Sequence, residues 1–203
     1  MIPDSPAFNH FDLIFNHITK RLETELSSNY SYHQLSHTIY VLNASETIAN
    51  WEGIEGEDLY LLKIAALYHD AGFLITHEEH EQHSQHIARE ELPGYGLSNQ
   101  QIDRICAMIQ ATRIPQTPLD RLSCILCDAD LFYLGFEAYD ETAGLLFTEL
   151  RSLNKIDSNK EWLVLQINFL SKHSYHTDSV RNRLSASKNQ HLERLKLQHL
   201  DIN

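Results

Sequence analysis

The spacing of apolar residues is the feature that most restricts how this chain can fold. Apolar side chains recur every three or four residues along most of the sequence, and no stretch shows sustained alternation of apolar and polar residues. A spacing of three and four places side chains on one face of a helix, whereas a strand requires a period of two. The sequence therefore predicts an all-α protein.

Three helices are predicted in the first third of the chain. The first has a stripe of apolar residues, and the second ends near Trp51 and Gly53. The third runs from about Glu57 to Ala71 and is apolar on nearly every side, which predicts a buried central helix that ends at Gly72. The apolar positions of the first two helices are Phe8, Phe11, Phe15, Ile18, Leu22 and Leu26, then Leu35, Ile39, Leu42 and Ala49.

Capping residues mark the starts of two later helices. Ser98 with Gln101, and Ser158 with Glu161, match a capping box, in which each side chain bonds the other residue's backbone N–H. The last segment combines many charges with a leucine stripe, and we expect it to pack on the core or on a partner chain. Further helices are predicted at about 80–91, 98–109, 119–130, 136–153, 158–170 and 178–200.

The composition restricts the class of protein. A chain of 203 residues with 42% hydrophobic residues can bury a core, and we expect residues 1–203 to form a single domain with a helical extension at about 137–203. A net charge of −12 repels the backbone of DNA or RNA, so no nucleic-acid polymer is expected as a partner. A small phosphate ester is compatible, because a bound cation inverts the local charge.

The cysteines and the N-terminus indicate where the protein works. Cys106, Cys124 and Cys127 are too few for a disulfide framework, and the CxxC of the last two lies on an apolar segment, which favours core thiols. The N-terminus has neither a basic region nor a long apolar run, and no other stretch is long enough to span a bilayer. We therefore expect a soluble, cytoplasmic protein with no membrane partner.

Histidine and aspartate residues on three predicted helices form a candidate metal site. His33 and His37 are one helical turn apart, His69–Asp70 comes at the end of the central helix, and Asp130 ends a later helix. Imidazole and carboxylate groups suit a borderline or hard divalent ion. A site built from separate helices can also leave coordination positions for water and substrate, as metal-assisted hydrolysis requires.

Each of these residues also has a simpler interpretation. A His–Asp pair often arises by chance, and Asp130 alone could be a solvated carboxylate or a helix cap. Neighbours on a regular helix point about 100 degrees apart, so His69 and Asp70 can bind one ion only at a helix end or near the helix axis. Gly72 fits such an end, and the order His, His–Asp, Asp on helical segments favours the metal site.

Five ordered motifs resemble those of the HD-superfamily metal-dependent phosphohydrolases, in particular the small bacterial members. They are SYHQLSHT, AALYHDAGF, HEEHEQHSQHIARE, ICAMIQATRIP and ILCDADLFYLG, with a looser match to about Lys188. The resemblance implies a compact HD-domain bundle with its metal-site core at about 30–136. It also implies hydrolysis of a phosphate ester or anhydride, with a nucleotide as the expected substrate.

The resemblance also implies a set of metal ligands. They are His37, His69, Asp70 and Asp130, around one divalent ion that could be Mn, Ni, Co, Fe, Mg or Zn, with Mn favoured. His33 matches a histidine that faces the site, so we expect it to contact substrate, although it could also bind metal. Binuclear relatives carry a paired histidine before the final aspartate, whereas MIQATRIP has none, which favours one ion.

The histidine-rich segment HEEHEQHS aligns best with these relatives through His80–Glu81 and Ser84. Either Glu81 or Asp70 is expected to orient or deprotonate the attacking water, and His80 is expected to contact substrate. A solvated turn and a second metal site are the alternatives for His77, His83 and His86.

Two later features have both a functional and a structural interpretation. Arg113 lies where relatives often carry a lysine, and its cation could bind phosphate or interact with the dipole at a helix end. His173, Tyr175 and Thr177 match a late motif of the family, and a structural role is favoured for them over a position in the pocket.

Two other functions fit the same residues. A non-catalytic sensor of a metal or nucleotide would act through helix packing, and the charged tail and acidic surface would suit a partner, including a second copy of this chain. Oxygenase chemistry of the HD type would need two iron ions, and the missing paired histidine counts against it.

Overall fold

The computed structural model describes residues 10–202, which form helices and include no strand. The all-α prediction is therefore confirmed, while Phe8 of the first apolar stripe lies outside the described residues. Within residues 10–202, short 3₁₀ helices at Ala71–Leu74, Leu92–Tyr95 and Phe132–Gly135 lie between α-helices. The α-helices are α1 (Phe11–Glu25), α2 (Leu35–Glu52), α3 (Gly56–Tyr68), α4 (His80–Glu91), α5 (Asn99–Ala111), α6 (Arg121–Asp130), α7 (Tyr139–Ser152), α8 (Asn159–Lys172) and α9 (Asp178–Ile202).

The central helix is α3, as its apolar sequence predicted. It packs against α1, α2, α5 and α6, and Leu61, Leu62, Ile64 and Leu67 are completely buried. Burial of one such side chain contributes roughly 1.5–3 kcal/mol, so α3 supplies much of the core. The residues that follow it are therefore held in the middle of the bundle.

The end of α3 differs from the prediction in position and in cause. The α-helix ends at Tyr68 rather than Ala71, and a 3₁₀ helix follows the His69–Asp70 pair. Gly72 does not serve as a left-handed cap. A Cβ at this position would lie 1.9 Å from the carbonyl oxygen of His80, so the glycine is needed for the close approach of the turn to the start of α4.

The two predicted capping boxes have different outcomes. At α5 the box is complete, because Ser98 and Gln101 each bond the other residue's backbone N–H. At α8 only half of it forms, since Ser158 accepts the Glu161 N–H, whereas Glu161 accepts the N–H of Asp157 at 2.9 Å. The helix starts where predicted in both cases, because the serine contact suffices to satisfy an N–H of the first turn.

The last helices pack on the rest of the chain. α9 runs along α8 and contacts α2 and the 3₁₀ helix Phe132–Gly135. Its stripe of Leu184, Leu192 and Leu195 is buried, and a Cβ at Gly135 would lie 2.5 Å from Leu184 Cβ. The tail therefore packs on the core of its own chain, as one of the two alternatives predicted.

Asp128 joins α6 to the start of α9. Its buried carboxylate accepts hydrogen bonds from the His176 N–H (2.7 Å), the Thr177 N–H (2.8 Å) and the Thr177 hydroxyl (2.7 Å). These donors would lack partners in the interior without it. The structural role favoured for Thr177 is therefore observed. Among the described helices, none combines the length and apolarity needed to cross a membrane.

Candidate metal centre

Four predicted ligands come together from three helices. His37 lies in the first turn of α2, His69 and Asp70 directly follow α3, and Asp130 is the last residue of α6. His37, His69 and Asp70 are buried, and they form a group that could hold a metal ion. The side chain of Asp130 is 17% exposed and faces the same point.

The ligand atoms of these residues are all close to one another. His37 Nε2 lies 3.4 Å from Asp70 Oδ2 and 3.2 Å from Asp130 Oδ1. His69 Nε2 lies 3.1 Å from Asp70 Oδ2 and 3.7 Å from Asp130 Oδ1. The two Nε2 atoms are 3.4 Å apart. Two nitrogens and two carboxylate oxygens thus surround one small volume.

This spacing fits a single divalent ion. Ligands at about 2.1 Å from one ion are about 3.0–3.4 Å apart in octahedral or tetrahedral geometry, close to the observed distances. Among the described residues, no group makes a hydrogen bond of acceptable geometry to the buried Asp70 Oδ2, which is costly unless a cation is bound. His69 Nδ1 bonds the Ala66 carbonyl at 2.8 Å, so its Nε2 lone pair is free to coordinate a metal.

Charges inside the cluster shift its pKa values in opposite directions. Burial alone would lower the pKa of His37 and His69, but the adjacent Asp70 and Asp130 carboxylates outweigh it and raise both. Burial would likewise raise the pKa of Asp70 and Asp130, yet the histidines hold both well below the usual range. The carboxylates are therefore ionised at neutral pH, as a cation-binding site needs.

His33 lies beside the cluster but is held by a residue far away in the sequence. Its ring stacks on Phe73 at 4.1 Å between centroids, and its Nδ1 bonds one carboxylate oxygen of Glu149. The other oxygen of Glu149 accepts the N–H groups of Tyr32 (2.8 Å) and His33 (3.0 Å). One buried side chain of α7 thus fixes both the backbone and the ring of His33.

His80 and Glu81 begin α4 on another side of the cluster. His80 Nε2 lies 3.4 Å from Asp70 Oδ1 and 3.5 Å from Glu81 Oε1. Burial opposes protonation of His80, but the Asp70 carboxylate outweighs it and raises its pKa. Glu81 is buried. In the histidine-rich segment HEEHEQHS, the two residues that reach the site are therefore His80 and Glu81, through which the segment aligns.

Ser84 ties α4 to the turn that carries the ligands. Its hydroxyl donates to the His69 carbonyl and accepts the Gly72 N–H, both at 2.7 Å, and the residue is completely buried. Both backbone groups would otherwise lie unsatisfied beside the ligands. The alignment of this segment includes Ser84, and its contacts give it a specific role in holding the ligand turn.

A cavity of about 290 Å³ lies next to the cluster. Two sets of residues in its wall differ in character, and we call them the polar lining and the apolar lining. The polar lining consists of His33, Asp70, His80, Glu81, Thr112 and Asp130. The apolar lining, from α7 and α8, consists of Ala143, Leu146, Leu150, Trp162, Leu165 and Phe169.

Other predicted residues lie away from this cavity. The guanidinium of Arg113 is half exposed, 3.9 Å from the Glu79 carboxylate, and does not line it. His77 Nε2 lies 4.0 Å from the Glu78 carboxylate, and His86 pairs with Glu90 on the exposed side of α4. Cys127 is a fully buried thiol that bonds the Ala111 carbonyl.

Glu149 is the site residue that the sequence analysis missed. It lies three residues after Leu146 and one before Leu150, so it occupies the apolar face of α7. A carboxylate on an apolar stripe signals a buried partner, because an unpaired buried charge is very costly. The partner itself, 116 residues away, has no local signature in the sequence.

Comparisons with known proteins agree on the fold. The family described as Ppx/GppA phosphatase, domain III, matches residues 34–125. A predicted HD superfamily hydrolase from an uncultured Thermotogales bacterium has a similar structure, with TM-score 0.62 and 20% identity over 96% of this chain and 94% of that chain. Bacillus subtilis YpgQ, solved in complex with ADP, has TM-score 0.62 and 16% identity over 94% of this chain and 97% of that chain.

The chain therefore has the HD-domain fold that its motifs implied. A search of curated proteins by sequence finds no match. The structural likenesses are below 25% identity, so they establish the fold, while the arguments on function come from the site of this chain itself.

Proposed function

We propose that the protein is a metal-dependent phosphohydrolase that cleaves a phosphate ester or anhydride in the cavity beside the cluster. The observation that carries this proposal is the convergence of four ligand atoms at separations of 3.1–3.7 Å. A wall of the adjacent cavity includes two of the ligand residues, Asp70 and Asp130, so a bound substrate would contact the site directly. The similarity to a hydrolase and to a phosphatase domain agrees with this activity.

His37, His69, Asp70 and Asp130 are the residues that would hold the ion. We expect one divalent ion, with Mn²⁺ first among Mn, Ni, Co, Fe, Mg and Zn, because histidine and carboxylate together accept all of these. When bound, such an ion supplies a Lewis acid for a phosphoryl oxygen and lowers the pKa of the attacking water.

The chain's own residues would then handle the proton and the phosphoryl group. The carboxylates of Asp70 and Glu81 both line the cavity and lie within 3.5 Å of His80 Nε2, so we assign one of the two to accept a proton from water there. His80 and His33, which line the same cavity, are assigned to contact with the phosphoryl oxygens. Arg113 stays a prediction, since its phosphate contact would require it to leave Glu79.

A metal-defined activity screen tests this proposal. Protein stripped with a chelator is reconstituted with Mn²⁺, Ni²⁺, Co²⁺ or Mg²⁺ and assayed against phosphate monoesters, diesters and nucleotides; the ADP bound by the Bacillus protein supports the inclusion of nucleotides. We expect ion-dependent hydrolysis with about one equivalent of bound metal. His69→Ala and Asp70→Ala should remove both. Turnover no higher than that of the double variant, with every ion, would refute the enzyme proposal.

A sensor without catalysis is the second candidate function. It is favoured by Glu149, which couples the extension directly to the loop that carries His33. Such a sensor would bind a metal or nucleotide tightly without turnover and change the packing of α7. In both cases we propose one domain, cytoplasmic and able to form a homodimer. Two bound iron atoms would instead support oxygenase chemistry.

A further inference from the structure

The cavity contains acidic and apolar groups but no fixed positive charge. Among the described residues, its lining includes three carboxyl groups, of Asp70, Glu81 and Asp130, and no lysine or arginine. Arg113 pairs with Glu79 at 3.9 Å, and Lys155 pairs with Glu78 at 3.8 Å, outside the cavity. A negative ligand must therefore be neutralised at the cluster itself.

This charge distribution limits how many phosphoryl groups a ligand can carry. One phosphoryl group placed at the cluster can meet the ion and the imidazole groups of His33 and His80 in the polar lining. Each additional phosphoryl group adds negative charge that would lie against carboxylates or apolar side chains. Burial of an uncompensated charge is strongly unfavourable at the low dielectric constant of such a site, so di- and triphosphates are poor ligands.

The apolar lining shows what the rest of the ligand should be. The α7 and α8 side chains that face the cavity are aliphatic or aromatic, apart from Tyr139 and Gln166, whose hydroxyl and amide oxygen bond each other at 2.8 Å. Trp162 is fixed by stacking on Phe147, with ring centroids 5.6 Å apart. Hydroxyl-rich groups would lose water here without gaining enough partners, whereas an apolar group gains from burial.

We propose that the substrate is a phosphate monoester with a single phosphoryl group on an uncharged, largely apolar alcohol. This inference rests on the proposed function and narrows its substrate class. The volume of about 290 Å³ lies at the small end of the range for ligand sites, about 300–1,000 Å³, and thus suits one phosphoryl group with a compact alcohol.

Two measurements on the Mn²⁺-loaded protein test the inference. The first is kcat/KM for ethyl, butyl and hexyl phosphate, for glycerol phosphate, and for one nucleoside as its mono-, di- and triphosphate. We expect an increase of about fourfold per buried methylene, glycerol phosphate at least tenfold below butyl phosphate, and the di- and triphosphates at least tenfold below the monophosphate. The second is calorimetric binding of the matching alkylphosphonates, which cannot be hydrolysed and should follow the same chain-length order.

The outcomes separate the inference from the proposed function. Preference for the triphosphate, or rates and affinities independent of chain length, would overturn the inference while leaving a phosphohydrolase. Chain-length-dependent binding of phosphonates with no turnover of any ester would keep the ligand class and overturn the hydrolase. Absence of both binding and turnover would overturn both.

A variant that adds the missing charge gives an independent test. Leu146→Lys places a cation in the apolar lining, at a position that is only partly buried and so tolerates a flexible charged side chain. We expect the ratio of diphosphate to monophosphate kcat/KM to rise about tenfold or more. Leu197→Lys, at an exposed leucine of α9 outside the cavity, is the matched control and should leave the ratio unchanged. An unchanged ratio in a folded Leu146→Lys protein would contradict the inference.

Discussion

The polar and apolar linings of the cavity come from different parts of the chain and face the same space. The polar lining lies within residues 33–130, on the helices that converge around α3, and the apolar lining lies within residues 143–169, on α7 and α8. Ionisable groups thus come from the most buried part of the bundle, and hydrophobic contact comes from the extension. We interpret the first region as the source of the chemistry and the second as the source of substrate preference.

The histidines of the two regions show the same difference. In the cluster, carboxylates outweigh the effect of burial and raise the pKa of His37 and His69. At the end of α8, burial lowers the pKa of His173 to about 3, with further lowering by the charges of Lys188 and His176. Carboxylates therefore stabilise the charged form of the histidines in the cluster, whereas burial and neighbouring cations disfavour the charged form of His173, so variants in the two regions should have different effects.

The largest expected effect is the loss of a ligand in the polar lining. Asp130→Asn keeps the shape of the side chain but removes the charge, and we expect kcat/KM to fall about a thousandfold for every substrate. Leu150→Ala, in the apolar lining, should instead lower kcat/KM more for hexyl than for ethyl phosphate. The measurement is steady-state kinetics, and Asp103→Asn, at an exposed aspartate of α5, is the control for Asp130→Asn. If Leu150→Ala lowered kcat/KM equally for ethyl and hexyl phosphate, the apolar lining would not be the source of substrate preference.

The next effect concerns Glu149, which lies in the extension but acts on the core through His33. Glu149→Gln keeps the size of the side chain and removes the charge that holds the His33 ring, so we expect kcat/KM to fall about 10–100-fold. Glu141→Gln, on the exposed side of the same helix, is the control. Kinetics of the variants would show whether the two regions are coupled at this contact.

A double-variant cycle shows whether Glu149 is a positioning residue. If it acts through His33, adding Glu149→Gln to His33→Ala should change kcat/KM by no more than about twofold, because the interaction is already lost. A further large fall in the double variant would mean that the Glu149 carboxylate acts independently of the His33 ring.

The sequence predicts the helices and the metal ligands, but it does not predict contacts between distant helices such as that of Glu149 with His33. The helices and the meeting of His37, His69, Asp70 and Asp130 follow from periodicity and ordered motifs, since each signal is local or carried by a resemblance. The contact of Glu149 with His33 spans 116 residues, and Gly72 is set by its approach to His80. Such features depend on how helices pack against each other, and the residue pattern of a single segment does not predict that packing.

A smaller effect is expected for the serine that holds the ligand turn. Ser84→Ala leaves the buried Gly72 N–H and His69 carbonyl without their partner, so the free energy of unfolding should fall by about 1–3 kcal/mol. Ser45 is an apt control, because it is equally buried but its hydroxyl has no hydrogen-bond partner within the part of the chain that the structure describes. Ser45→Ala should be neutral or stabilising in denaturant unfolding. Equal losses in both variants would mean that the Ser84 bonds do not stabilise the turn.

The smallest effect is a pH dependence in the extension. The ring of His173 stacks on Phe169 of the apolar lining, and neither ring nitrogen has a hydrogen-bond partner in residues 10–202. Its pKa is about 3 when folded and about 6.5 when unfolded, so between these values the unfolded chain binds a proton that the folded chain does not. Stability due to this group is therefore complete above about pH 6.5 and is lost as the pH falls toward 3. Between pH 7 and pH 5, the free energy of unfolding of the parent protein should fall by about 1–2 kcal/mol more than that of His173→Phe. His86→Phe, at an exposed histidine, is the control, and its free energy of unfolding should fall by the same amount as that of the parent. Parallel curves for the parent and His173→Phe would show that the extension does not exclude charge at this position.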